Sequence, residues 1–259
     1  MNNQDLIWKL QDRINDICDN EKLSCLRGID NKYLVNGRQI IMWYTNSTRK
    51  CSIKYSNCFD YSKNFDDLLI CSDELMYFAA HLFLYRPFMN NPLNDRYDHG
   101  GKNVYPNYQN LEAKRFCMYA DIASEKAYNY WDRIGDLIAS YFPDIINPHR
   151  VFFTTAIQNV PNCYKSSENY LWLLNFKENE YLELNKIRKQ IVHYSSSNTA
   201  FKYDHLEKVM DQKAMEMLIN SRFQVAEFYK KQIDLTITGF EKTLLFLEEL
   251  NNILFNDIE

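Results

Sequence analysis

Between residues 110 and 142, Phe116, Ala120, Ala123, Ala127, Tyr130, Ile134, Leu137 and Tyr141 recur at steps of four and three. A helix turns once in about 3.6 residues, so these side chains form one continuous seam, close to a heptad. Three of them are alanine, which lets a second helix approach closely. A chain built on such a seam must set helix against helix. Only six Gly and six Pro in 259 residues interrupt that programme.

Other stretches follow the same period. Residues 4–19 place Ile7, Leu10, Ile14 and Ile17 three and four apart and read as an amphipathic helix. Residues 65–85 carry a wide apolar stripe that stops before Pro87, because the residue preceding a proline avoids the α region. A short helix is predicted over 148–158, with Pro148 in its first turn. Residues 159–177 read as irregular, with Tyr170 and Trp172 as anchors. Helices are predicted over 178–195 and over 204–255. The latter starts on a capping box of Asp204 and Glu207, has Met210, Ala214 and Met217 on its face, and has a weak point at 236–239. Gly135, inside the 110–142 helix, costs about 1 kcal/mol against Ala, which a close helix crossing or a bound group would explain, packing being the expectation.

Two stretches depart from the helical pattern. Residues 33–35 and 39–44, around Asn36-Gly37, read as a β-hairpin, with 52–55 a candidate third strand. Residues 86–108 hold Pro87, Pro92, Gly100, Gly101 and Pro106 and form the longest loop, a length associated with function or mobility. The expected fold is therefore mainly α: a bundle of four to five long helices over 64–259, with an N-terminal helix and small hairpin over 1–63 packed on it as one compact domain.

The net charge of -4 rules out a generally basic nucleic-acid binder, so any RNA contact must come from a local patch. Seven cysteines, an odd number without a CxxC pair, read as reduced thiols of a cytoplasmic protein. Met1-Asn2-Asn3-Gln4-Asp5 is unlike a signal sequence, and no membrane association is expected. No HExxH, Cys/His quartet or GxSxG occurs, so neither a metal, a cofactor nor a serine nucleophile is expected. His99-Gly100-Gly101-Lys102 lacks the strand–loop–helix setting of a phosphate loop. His149 and His205 are lone and expected at the surface.

One stretch gathers basic residues in this acidic chain: Leu184-Asn185-Lys186-Ile187-Arg188-Lys189-Gln190-Ile191-Val192-His193-Tyr194, closed by the turn-forming run Ser195-Ser196-Ser197-Asn198. An arginine, four residues and a histidine at a junction of two helices resemble the RxxxxH signature of the HEPN superfamily (higher eukaryotes and prokaryotes nucleotide-binding), over residues 64–255. The resemblance implies a helical bundle that dimerises with two motifs facing across a cleft. It also implies a metal-independent endoribonuclease, of the kind found in toxin–antitoxin and phage-defence settings, with RNA as substrate and an antitoxin protein as partner.

The residue types suit that chemistry. Histidine (His193) moves protons near neutral pH, and arginine (Arg188) offers a planar fork of donors to phosphate. Lys186, Lys189 and Tyr194 would bind substrate. Asp132 and Asp136, at i and i+4, either orient Arg188 and His193 or lie on an exposed face beside Arg133. Five positions along a helix turn through about 500°, leaving Arg188 and His193 roughly 140° apart. Two routes bring them to one substrate: the helix loosens near its end, or two copies share a site. Lys189 departs from the Asn, Asp or His that nuclease members often carry after the arginine, and Ser195 departs from an RxxxxHxY arrangement. The alternative is a non-catalytic helical protein that binds nucleotide, RNA or a protein partner.

Overall fold

The computed structural model describes residues 2–146 and 151–255. Helix α1 (Asn3–Glu21) starts on a capping box in which Asn2 and Asp5 each accept the other's backbone N–H, at 2.8 and 3.0 Å. Its apolar seam is buried only in its second half: Ile14 and Ile17 are buried, whereas Ile7 is 67% exposed.

The first hairpin is real but short. Strands β1 (Leu34–Val35) and β2 (Arg38–Gln39) pair antiparallel around Asn36 and Gly37, both at positive φ. The longer strand expected over 39–44 and the third over 52–55 are replaced by a helix, α2 (Ile40–Lys54). Gln39 starts it by accepting the N–H of Met42 at 2.8 Å. Ile40, Trp43, Tyr44, Ser47, Thr48 and Cys51 are its buried residues, a helical period hidden by polar members. Thr48 is satisfied inside by donating to the Tyr44 carbonyl at 2.8 Å.

Helix α3 (Tyr61–Tyr85) runs into a 3₁₀ turn, Arg86–Phe88, that contains Pro87. The 86–108 segment holds a second hairpin that its sequence did not announce: β3 (Tyr97–His99) and β4 (Lys102–Val104), with His99 opposite Lys102. Gly100 and Gly101 form its turn, at φ +63° and +80°. Asn90 and Asn110 also interlock, each backbone N–H donating to the other's side-chain oxygen, at 3.4 and 3.2 Å.

Helix α4 (Leu111–Ala139) carries the alanine seam and ends in a turn ahead of Pro143. Pro148 and His149 lie outside the described residues; the helix expected there is seen as α5 (Phe153–Asn159). The stretch 159–177, expected to be irregular, contains α6 (Glu168–Glu178), N-capped by Ser167. Tyr170 is buried on it and Trp172 half-buried.

Helix α7 (Glu180–His193) carries the motif. The region 204–255 is not one helix. It comprises the end of α8 (Ser197–Glu207), then α9 (Gln212–Phe223) and α10 (Val225–Leu254). Asp204 lies inside α8 and caps nothing; Ser196 and Asp211 are the N-caps, accepting from Thr199 and Ala214. Met210 and Met217, expected to face the core, are exposed, and Met215 and Ile219 are buried instead.

The chain forms two compact units, one of Met1–Leu23, Leu75–Glu125 and Ile187–Lys231, the other of Ser24–Glu74, Lys126–Lys186 and Gln232–Glu259. Both draw on residues before and after position 63. In the first unit, Tyr105, Phe201, Met215 and Ile219 form a core cluster. Arg222 is buried there, 3.9 Å above the Phe201 ring, and donates to the Ala113 carbonyl at 3.0 Å. His205, expected at the surface, is fully buried, with Nε2 donating to the Tyr105 carbonyl at 3.0 Å.

In the second unit, Trp131 stacks on Phe176 at 3.9 Å. Both internal glycines serve close packing. A Cβ on Gly135 would lie 2.7 Å from the Phe153 backbone, and one on Gly239 would enter the Trp131 ring. Helix α10 runs unbroken through 236–239.

Among the described residues one helix, Tyr61–Phe88, is long and apolar enough to cross a membrane, and half of its apolar window is buried inside the protein. All seven cysteines are free thiols.

Candidate functional site

The motif helix α7 is anchored at its start, where Tyr181 and Leu184 are buried. From Ile187 onward it belongs to the first unit. There Arg188 is half-buried and lines a pocket of about 100 Å³ with Ile191 and Val192. The facing wall is α4, through Asp121, Ile122, Ser124 and Glu125. Asp121 and Glu125 are one helical turn apart, so two carboxylates share the pocket with one guanidinium.

Asp121 has a second task. Its oxygens accept the backbone N–H of Ser197 at 3.2 and 3.4 Å, fixing the start of α8 just after the motif. Burial raises its pKa above the ordinary carboxylate value, and the hydrogen bonds from Ser197 oppose that shift.

His193 is the last residue of α7 and is exposed. The i→i−4 pattern holds through Tyr194, which donates to the Gln190 carbonyl at 3.0 Å, and the helix closes where Ser195 donates to the same oxygen, five residues back, at 2.9 Å. The helix does not loosen between Arg188 and His193. Arg188 turns toward α4 with Ile191 and Val192, and His193 turns to solvent. Lys186, Lys189 and Tyr194 are exposed, Tyr194 by 79%.

Asp132 and Asp136 are engaged in the second unit. Asp132 accepts the N–H of Phe153 at 3.2 Å, and Asp136 pairs with Arg133 at 2.6 Å. The carboxylates beside Arg188 are Asp121 and Glu125, which are not among the residues expected at the site; their signal in the sequence is two acids four apart, on either side of Ala123 of the α4 seam. Among the described residues no group of three or more His, Cys, Asp and Glu converges on a common point that could hold a metal ion.

A family model for Cthe2314-like HEPN domains matches residues 92–251, more than half of the chain. The protein belongs to the HEPN family. The matched span contains β3, β4 and all of the helices α4–α9, and so holds Asp121, Glu125, Arg188 and His193; it begins after α3, later than the start at residue 64 that the motif suggested. No curated protein and no solved structure matches the chain. Arg188 and His193 thus lie within the matched span, toward the end of a helix that is followed by a capped turn.

Proposed function

We propose that this HEPN protein is a metal-independent endoribonuclease that works as a cytoplasmic homodimer, in a toxin–antitoxin or phage-defence setting. One observation carries the reading: α7 stays regular to its end, so its Arg188 and His193 lie on different sides of one helix. A single copy cannot aim both at one phosphate. Two copies meeting about a two-fold axis bring each motif against the other.

In such a cleft His193 of one copy takes the proton from a ribose 2′-hydroxyl. The 2′-oxygen attacks the adjacent phosphorus, the bond to the 5′-oxygen breaks, and the second copy's histidine protonates the leaving oxygen. The products are a 2′,3′-cyclic phosphate and a 5′-hydroxyl. Arg188 holds the phosphate oxygens through its planar donors, and the exposed Lys186 and Lys189 add attraction for the RNA backbone.

Lys189 supports a second reading, in which the same surface binds RNA without cutting it. The deciding experiment incubates the purified protein with labelled tRNA and mixed RNA in EDTA, beside Arg188→Ala and His193→Ala. Cleavage that survives chelation and is lost in both variants supports the ribonuclease. Cleavage that persists in either variant removes the assigned residues. Binding without cleavage selects the second reading.

A further inference from the structure

On α4 an apolar stripe faces solvent beside the Arg188 pocket. At about 100° per residue, Leu111, Met118 and Ile122 lie within about 40° of one another round the helix. Leu111 is 62% and Met118 41% exposed, and Ile122 is half-buried in the pocket wall. Val192, which lines the same pocket from α7 and precedes His193, is 54% exposed. The stripe therefore runs into the surface that carries the motif. One of its flanks is charged, with opposite signs at the two ends. Lys114 and Glu125 stand about 60° and 40° from the stripe's centre on the same side, roughly 16 Å apart along the axis. Both are exposed, and among the described residues neither forms an ion pair within the chain. Glu125 is also the second carboxylate in a pocket with one guanidinium, which leaves that pocket short of a cation.

A partner carrying charge of one sign cannot satisfy both ends of this flank. The same stripe run in reverse can. A two-fold axis that sets α4 antiparallel against α4 of a second copy keeps each flank on its own side, so the flank meets itself in opposite order. With the crossing level with Ala120, Met118 lies against the second copy's Ile122. Lys114 then comes within one residue's rise of the second copy's Glu125, and the contact occurs twice about the axis. Arg115, on the other flank, comes opposite the second copy's Lys126, whose ammonium already pairs with Glu74 of its own chain at 2.8 Å.

We propose that α4 is the dimer-forming helix of this protein, antiparallel to its own copy across Met118 and Ile122, with Lys114 of each copy paired to Glu125 of the other. This pairing rests on the homodimer proposed above and adds to it the face on which the two copies meet. Each Arg188 pocket is then completed by the other copy, whose Met118 covers Ile122 and whose Lys114 supplies the cation that the pocket lacks. Exposed ion pairs are each worth little, so they set direction and register, while the apolar stripe supplies buried area.

Sedimentation equilibrium of the full chain at micromolar concentrations tests the pairing. Lys114→Glu and Glu125→Lys are each expected to weaken the dimer about 10-fold, because each sets like charges together at two symmetric places. The double variant Lys114→Glu/Glu125→Lys is expected to recover the parent's affinity. Within one chain the two positions lie farther apart than the screening length of about 10 Å at 0.1 M ionic strength, so recovery reads contact between copies. If the single variants, melting like the parent, dimerise as tightly as it does, α4 is not the face and the homodimer stands on another surface. Weakening in both without recovery in the double variant overturns the antiparallel pairing. A parent chain that stays monomeric throughout this range removes both the pairing and the homodimer.

Discussion

Asp121 on α4 and Ser197 at the start of α8 are joined by a carboxylate that receives one backbone N–H on both oxygens, at 3.2 and 3.4 Å. The contact spans 76 residues of sequence and sets where the chain goes after His193. Asp121→Ala leaves that donor without its acceptor and is expected to cost about 1 kcal/mol. Asp121→Asn keeps an acceptor oxygen and is expected to stay within about 0.5 kcal/mol of the parent. Urea titrations of the three proteins check both values, and equal losses in Ala and Asn would remove the capping role.

His193 is exposed and Arg188 half-buried, which separates their effects on stability and activity. His193→Ala is expected to melt with the parent, within about 0.5 kcal/mol, while cleavage falls by about 10²-fold or more. On the shared-site reading both histidines act in one cleft, so a mixed dimer of one parent chain and one His193→Ala chain is expected to lose cleavage as the His193→Ala homodimer does. Cleavage assays on the mixed and separate proteins read this directly; half of the parent's activity in a demonstrated mixed dimer argues against sharing.

Gly135→Ala sets two terms against each other. The substitution improves helix propensity by about 1 kcal/mol. The added Cβ meets the Phe153 backbone at 2.7 Å, and no rotamer change relieves a backbone clash. Overpacking of this kind costs about 1–3 kcal/mol, so a net loss of stability is expected in a denaturation midpoint. A more stable variant would show that α5 can move away freely.

The buried His81 gives a pH dependence with a definite sign. Its folded-state pKa lies below the ordinary 6.5, chiefly through burial. The unfolded chain then binds the proton more readily, so the contribution is fully present above pH 6.5 and is lost as pH falls through the lowered value. His81→Gln is expected to flatten stability across that acidic window, measured by thermal melts at a series of pH values. An unchanged slope would assign the acid sensitivity to other groups.

The sequence by itself determined the elements whose apolar residues repeat without interruption. The alanine seam of α4, the stripe of α3 and the basic end of α7 were legible because each side chain's face follows from its position in a 3.6-residue repeat. Membership of the HEPN family was legible from a short local pattern on a helix followed by serines that turn the chain. What the tertiary structure decided are the places where neighbours overrule local preference. Ile40, Trp43 and Tyr44 favour a strand, yet they join a helix because Ser47, Thr48 and Cys51 complete a face that only a folded neighbour can bury. The run from 204 to 255 breaks at Asp211 and Gln224, where capping and the burial of Met215, Ile219 and Arg222 redirect the chain. The partners of Arg188 belong to this second class. Asp121 and Glu125 lie more than sixty residues earlier, and no local pattern states that their helix will lie against α7. Local periodicity fixes which face of a helix is apolar; only packing fixes which other helix that face meets.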